Sequence, residues 1–146
     1  EVISAEGPIQ LERLARLTAG AFDLTRLNQA RIDSILRCVP SAQRDRAGFA
    51  WPDTIVRSDW AEFRVAPSDA PRSMAEVHPL EITNAMVALC RDAYGMSEDE
   101  LLKETLALFG WKRRTEALVA PIKSAISVAI DNETLSIQPN GLVVPG

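Results

Sequence analysis

Several residue types from which active sites are commonly built are scarce in this sequence. Its 146 residues include one histidine, His78, and two cysteines, Cys38 and Cys90. A structural zinc site or a disulfide framework draws on a cluster of such residues, and both cysteines stand in apolar helical patterns that predict buried thiols. The sequence also has no Gly-x-x-x-x-Gly-Lys-Ser/Thr phosphate-binding loop and no Gly-x-Ser-x-Gly nucleophile elbow. We therefore predict a chain that is not an enzyme, without catalytic residues, bound metal, cofactor or small-molecule substrate.

Long apolar runs are missing as well. No segment approaches the roughly 18 consecutive apolar residues of a membrane-spanning helix, and no signal-peptide pattern opens the chain. The chain begins at Glu1 rather than at methionine, which favours a fragment of a longer protein. These observations predict a cytoplasmic location without membrane contact.

The chain also has no excess of basic charge. Its formal net charge is −4. Residues 1–53 carry seven acids and seven bases, whereas residues 79–146 carry nine acids and six bases. A dedicated DNA-binding domain usually gathers lysine and arginine on one face. This chain can offer only local basic patches, which argues against tight autonomous binding of nucleic acid.

What is present is mainly helical periodicity. Apolar residues recur at helical spacing in five segments, at residues 9–21, 25–39, 80–90, 101–109 and 116–130. Ser97 followed three positions later by Glu100 is a capping-box pattern. The acidic run at residues 98–100 therefore indicates a helix N-terminus rather than a metal site. The three tryptophans are expected in the core, and an exposed cluster of them would indicate a docking surface.

The two halves of the chain repeat one order of features. A glycine-led turn, Gly7-Pro8-Ile9 or Gly95-Met96-Ser97, precedes two successive helical segments. Each half then closes on a glycine-to-proline strand, Gly48-Phe49-Ala50-Trp51-Pro52 or Gly141-Leu142-Val143-Val144-Pro145. The second of these is the return strand of a hairpin that begins at Leu135. Two helices followed by a small hairpin are the elements of a winged helix-turn-helix.

We therefore predict a mostly α fold with small β-hairpins, built of tandem winged-helix-like repeats, each a helix-turn-helix plus a wing. The first unit is residues 1–53, a Pro-rich connector occupies residues 54–78, and the second unit is residues 79–146. The helix that should open each unit is clear in the second. In the first unit it is missing or shortened to residues 1–6.

Several short stretches together resemble a known bacterial family. They are Ala5-Glu6-Gly7-Pro8-Ile9, Arg26 with Ala30-Arg31-Ile32, Gly48-Phe49-Ala50-Trp51-Pro52, Glu81-Ile82 with Met86, and Glu100-Leu101 with Phe109-Gly110. The chain resembles the C-terminal domain of unknown function in very large superfamily I DNA helicase-like proteins, over nearly its whole length outside residues 53–72. This resemblance implies an accessory tail of a DNA-processing ATPase, with DNA and the remainder of the parent chain as partners.

The sequence departs from this family at one position. The family usually has a basic residue just before the isoleucine of the last helix, where this chain has Ala120-Pro121. Pro121 suits the start of a helix but removes that basic contact. The resemblance therefore gives no support to DNA contact from this position.

Exposed bases on a helix-turn-helix contact phosphates and base edges. The candidate nucleic-acid contacts are Arg26, Arg31, Arg37, Lys112, Arg113, Arg114 and Lys123. Asp33 and Glu116 lie among them and would repel phosphate, so a solubilising surface is the alternative interpretation. Two functions stay open, a non-catalytic accessory domain with weak DNA binding or positioning, and a packing or protein-interaction module without nucleic-acid contact. Bases on one exposed face favour the first, whereas bases paired with the chain's own acids favour the second.

Overall fold

The computed structural model of the protein describes residues 1–22, 26–66 and 71–146. Over these residues the chain is mostly helical, with six α-helices and two small two-stranded antiparallel sheets. This confirms the predicted fold class at that level. Thr25, the predicted start of a helix, and the connector residues 67–70 lie outside the described residues. The described residues 26–28 are not helical, so the helix predicted from Thr25 begins later, at Gln29.

The fold divides into two compact units. Unit 1 consists of Glu1–Trp60 and Ala75–His78, and unit 2 consists of Ala61–Met74 and Pro79–Gly146. Residues 54–78, which the sequence assigned to a connector, are therefore shared between the two units.

Unit 1 contains three helices and one small sheet. Its elements are, in chain order, α1 (Val2–Glu6), β1 (Ile9–Gln10), α2 (Leu11–Ala21), α3 (Gln29–Arg37) and β2 (Phe49–Ala50). The two strands are antiparallel, with Ile9 opposite Ala50. Ala50 also forms a β-bridge with Arg44, so β2 has pairing partners on both sides.

Side-chain caps set the starts of α2 and α3. Gln10 Oε1 accepts a hydrogen bond from the backbone N–H of Arg13, and Asn28 Oδ1 accepts one from that of Arg31, both at 2.9 Å. Each cap satisfies an amide that has no partner within the helix. The helical pattern that began at Ile9 was therefore assigned two residues too early, because the backbone of Ile9 pairs with β2 instead.

The core of unit 1 is small and lies among its helices and sheet. One apolar cluster in it joins the buried Ile9, Leu14, Val39 and Ala50 with the partly buried Val2, Ile3, Leu11 and Leu36. The other buried apolar residues in the described part of unit 1 are Ala15, Ala19, Phe49, Trp51 and Val77. Cys38 is exposed, so the prediction of a buried thiol is wrong at this position. The reason is that α3 ends at Arg37 and Cys38 is its C-terminal cap.

The described residues of unit 2 form three α-helices and a hairpin. Its elements are α4 (Pro79–Asp92), α5 (Glu98–Leu108), α6 (Glu116–Asp131), β3 (Leu135–Ile137) and β4 (Val143–Pro145). The strands are antiparallel, with Ser136 opposite Val144, which confirms the predicted hairpin. Val143 also forms a β-bridge with Met96, so β4 too has pairing partners on both sides.

The predicted capping box opens α5. Ser97 Oγ accepts a hydrogen bond from the backbone N–H of Glu100 at 3.3 Å, and Glu100 Oε2 accepts one from the N–H of Ser97 at 3.0 Å. The hydrogen bonds from Ser97 hold the pKa of Glu100 below its usual value. The acidic run is therefore a helix N-terminus, as predicted.

Pro121 lies inside α6 rather than at its start. The backbone N–H groups of Leu118 and Val119 donate to the carbonyl of Thr115, so the helix begins before the proline is reached. A proline inside a helix removes one backbone donor and crowds the preceding turn, but α6 continues through it to Asp131.

Fifteen apolar side chains are buried in the described part of unit 2, Met96 among them. The other fourteen form its helical and hairpin core. They are Ile82, Ala85, Met86, Cys90, Leu101, Leu102, Leu106, Phe109, Trp111, Ile122, Ile126, Ala129, Leu135 and Val143. Phe109 and Trp111 stack with ring centroids 5.0 Å apart. Over the described parts of both units, no helix is long and apolar enough to cross a membrane.

Candidate nucleic-acid interface

Three of the seven predicted contacts belong to unit 1. Arg26, Arg31 and Arg37 are all exposed, and the last two lie on the solvent side of α3. At helical spacing the small residues Ala30 and Ser34 lie between them, so this side of α3 has few bulky groups. Arg31 Nη1 donates a hydrogen bond to the carbonyl oxygen of Arg26 at 2.6 Å, which connects the helix to the segment before it.

The one acid on α3 accepts a hydrogen bond from a neighbour on the same helix. Asp33 Oδ1 accepts a hydrogen bond from Gln29 Nε2 at 2.9 Å, one helical turn away. The carboxylate therefore has a donor on the helix surface itself, although it keeps its negative charge. Unit 1 retains two exposed arginines and one exposed acid on this helix.

The other four predicted contacts belong to unit 2, where two of them lie close to acids. Lys112, Arg113 and Arg114 are exposed in the turn between α5 and α6. Arg114 Nη2 lies 3.3 Å from Asp99 Oδ1. Lys123, exposed on α6, lines a depression of about 350 Å³ together with Glu98 and Asp99. Two of these four bases are therefore beside the acidic N-terminus of α5.

A group of arginines that sequence reasoning did not select surrounds the turn before β2. Arg44 Nε donates to the carbonyl of Val39 at 3.3 Å, and Arg57 Nη2 donates to that of Ala42 at 2.8 Å. Arg46 is exposed at the tip of the turn. In the sequence Asp45 stands between two of these arginines, and Arg57 falls in the connector. No local excess of positive charge therefore marked the group.

Asp45 points away from this turn into a polar cluster. Its Oδ1 accepts from the backbone N–H of Phe49 at 2.9 Å, and its Oδ2 accepts from Trp51 Nε1 at 2.7 Å and lies 2.8 Å from His78 Nε2. Burial raises the pKa of Asp45, but the hydrogen bonds from Trp51, Phe49 and His78 lower it by more, so the carboxyl is held below its ordinary value. It is therefore an anion near neutral pH.

The side chain of His78 is largely buried and packs against two aromatic rings. Its ring meets Phe49 and Trp51 edge to face, at centroid distances of 4.8 and 5.0 Å. These contacts, with one carboxylate and two aromatic rings, give His78 a structural role in unit 1. Over the described residues no group of three or more His, Cys, Asp and Glu side chains could hold a metal ion.

A second polar cluster lies in unit 2, at the first turn of α4. Glu81 is fully buried, and its carboxylate accepts hydrogen bonds from the side chains of Arg64 and Arg72. A signal for its burial exists in the sequence, because Glu81 stands one helical turn before the buried Ala85. Its two partners come from the segment interpreted as a connector, which carries no periodic pattern.

The tryptophans do not form an exposed cluster. Trp51 and Trp111 are buried, which confirms the prediction for these two residues. Trp60 is partly buried and meets Trp51 edge to face at 5.2 Å. The docking surface that exposed tryptophans would have indicated is not formed.

Comparisons with known proteins give no assignment for this chain. No protein-family model matches it, and neither a curated protein nor a solved structure matches it.

Proposed function

We propose that the chain is a tandem winged-helix module, with one winged helix in each unit. The repeat is supported by element order, since α1, β1, α2, α3 and β2 in unit 1 correspond to α4, Met96, α5, α6 and the β3–β4 hairpin in unit 2. Strand pairing supports it as well. In unit 1, β2 pairs with β1, which precedes α2, and with Arg44, which follows α3. In unit 2, β4 pairs with Met96, which precedes α5, and with β3, which follows α6.

Corresponding residues have the same local roles in the two units. Gly7 and Gly95 each follow the first helix, and each donates a backbone hydrogen bond to a carbonyl of that helix. Gln10 and Ser97 each cap the second helix through a side-chain oxygen. Such agreement in local role and in order along the chain is expected of a duplicated unit, with α1 as the shortened counterpart of α4.

The function that we propose is that of a non-catalytic accessory domain of a helicase-like protein, which contacts DNA weakly through unit 1. The observation that carries this proposal is the solvent side of α3, where Arg31 and Arg37 flank small residues. In a helix-turn-helix the second helix of the motif, here α3, approaches the nucleic acid. Arg26 lies just before it and adds a third positive charge.

A second candidate function, packing or protein interaction without nucleic acid, is favoured for unit 2. Arg114 is paired with Asp99, and Lys123 lies beside Glu98 and Asp99. Acids at this distance repel phosphate and compete for the bases. Unit 2 therefore serves, in this proposal, to hold the module within the parent protein.

The test is binding of the whole chain to labelled duplex, forked and single-stranded DNA at about 50 and 200 mM salt, because phosphate contacts make affinity fall steeply with salt. We expect salt-sensitive binding that is strongly reduced by the double variant Arg31→Ala, Arg37→Ala. The matched control is the double variant Lys112→Ala, Arg113→Ala in unit 2, which should retain most of the affinity. Circular dichroism of each variant verifies that the helices are intact.

The two candidate functions predict different results. Binding that is lost in the unit 2 variant and kept in the α3 variant would move the interface to unit 2. Absence of binding at the lower salt concentration for all three DNA forms would reject nucleic-acid contact and leave the packing module as the function of both units.

A further inference from the structure

We propose that the turn at residues 44–48 of unit 1 is a second phosphate-contacting surface, with Arg46 as its contact residue and His78 as a positioning residue. This inference rests on the proposed function and extends it to residues that neither the helical pattern nor the sequence resemblance selected. Its partner is the phosphodiester backbone of a nucleic acid.

Charge is the first argument for this surface. Arg44, Arg46 and Arg57 surround the turn, and over the described residues none of them forms an ion pair with an acid. Asp53 is a competing carboxylate, because it lines the same depression as Arg57. Arg46 is exposed and has no hydrogen-bond partner among these residues, so its guanidinium is available to an external anion.

The inward orientation of Asp45 is the second argument. An aspartate between two arginines would ordinarily reduce the positive potential of the turn. Here its carboxylate receives donors from Phe49, Trp51 and His78. Because both carboxylate oxygens of Asp45 accept these hydrogen bonds, the negative charge is held away from the tip of the turn. Arg46 therefore faces solvent without a neighbouring carboxylate at the tip.

The turn is also held rigidly. The backbone N–H of Asp45 donates to the carbonyl of Phe49 at 2.9 Å, and Arg57 lies over the Trp51 ring with 5.6 Å from its Cζ to the centroid. His78, from the short segment Ala75–His78 that belongs to unit 1, contributes a further bond to the same carboxylate. A fixed turn loses little conformational entropy when it contacts a ligand.

The first part of the test is the salt dependence of DNA binding for the full chain and for Arg46→Ala. Each phosphate contact contributes about 0.9 to the slope of log affinity against log salt for duplex DNA. We expect Arg46→Ala to reduce the steepness of this slope by about 0.9, the contribution of one phosphate contact. The variant should also bind several-fold more weakly at about 50 mM salt. The matched control is Arg113→Ala, an exposed arginine of unit 2, which should leave the slope unchanged.

The second part is a double-mutant cycle between His78 and Arg46. His78→Ala should weaken binding in the wild-type background and have no further effect in the Arg46→Ala background, because it acts through the turn. His78→Gln, which keeps a side-chain N–H near the position of Nε2, should restore most of the affinity. The indole N–H resonance of Trp51 gives a readout without DNA, and it should shift in His78→Ala and return towards its original position in His78→Gln.

The outcomes separate this inference from the proposed function. If the α3 variant loses binding but Arg46→Ala keeps the full slope, the turn is not a contact and the proposed function stands. Equal effects of Arg46→Ala and Arg113→Ala would also overturn the turn as a specific surface. If His78→Ala weakens binding equally in both backgrounds, its role is general stability and the positioning role is rejected. If the wild-type chain binds no DNA, the proposed function fails and this inference fails with it.

Discussion

Arg72 forms a bidentate ion pair with the buried carboxylate of Glu81. Its Nη2 donates to Oε1 at 2.6 Å and its Nη1 donates to Oε2 at 3.0 Å. The backbone N–H of Arg64 donates to Oε1 of the same carboxylate at 2.9 Å. The carbonyl oxygen of Arg72 in turn accepts a hydrogen bond from Trp111 Nε1 at 2.8 Å. The part of the Pro-rich connector that carries Arg64 and Arg72 is thus attached to α4 and to Trp111 in the turn that follows α5, and it belongs to unit 2.

Replacing Glu81 with glutamine should strongly destabilise the protein. The variant keeps the volume of the side chain but leaves the largely buried guanidinium of Arg72 without its counter-charge. Removing one partner of a buried ion pair costs about 3 kcal/mol or more. Urea unfolding should detect this loss, with Glu104→Gln on the exposed side of α5 as control. A change below about 0.5 kcal/mol would show that the cluster contributes little stability.

Stability should also depend on acid pH through Glu81 and Asp45. Burial raises the pKa of Glu81, but the hydrogen bonds and charges of Arg72 and Arg64 lower it by more, and the pKa of Asp45 is lowered as well. A carboxyl with a lowered folded-state pKa stabilises the fold above its unfolded pKa, which is about 4.3 for glutamate and 3.9 for aspartate. That stabilisation is lost as pH falls through the folded-state value.

The measurement is unfolding free energy between about pH 7 and pH 2, for the wild type and for Glu81→Gln. The wild type should lose stability steeply below about pH 4, and the variant should have a smaller slope there because it lacks one of the titrating groups. Identical slopes for the two proteins would mean that Glu81 has the same pKa in the folded and unfolded chains.

The two cysteines should react at very different rates. Cys38 is exposed and Cys90 is buried. Burial raises the pKa of the Cys90 thiol to about 11, which further reduces its reactive thiolate fraction near neutral pH. A thiol-specific chromogenic reagent at about pH 8 should therefore label one thiol in the native protein and both in denaturant. Cys38→Ser should abolish the fast reaction, and fast labelling of two thiols in the native state would contradict the burial of Cys90.

Glycine-to-alanine substitutions at Gly7 and Gly20 should have opposite effects. Gly7 has an ordinary φ of −62°, but a Cβ there would overlap the ring of Pro52 and the carbonyl oxygen of Ile3. Gly20 lies within α2, and a Cβ there meets nothing within 4 Å. We expect Gly7→Ala to cost about 2 kcal/mol through overpacking and Gly20→Ala to gain about 0.5–1 kcal/mol through helix propensity. Thermal unfolding of the pair measures both, and equal effects of the same sign would refute the close contact at Gly7.

Local features were predictable from the sequence because their causes lie within one helical turn or one hairpin. The cap at Ser97, the strand pair that begins at Leu135, and the inward side of α4 all follow from residues that are near one another in the chain. The predicted bases are exposed for a similar reason, since charged side chains off the apolar side of a helix remain in water. Where local signals competed with pairing, as at Ile9, the prediction misplaced the boundary by two residues.

Only the tertiary structure decided which charges are used internally. Glu81 meets Arg64 across 17 residues, and Asp45 meets His78 across 33. No periodic pattern encodes such partners, because a polar group is buried only when donors from distant segments arrive together to offset its desolvation. The same distant contacts divided residues 54–78 between the two units and turned Asp45 inward, which left Arg46 exposed. The sequence by itself determined that the chain is mostly helical, together with the cap at Ser97 and the terminal hairpin, whereas folding determined which charges remain available to a partner.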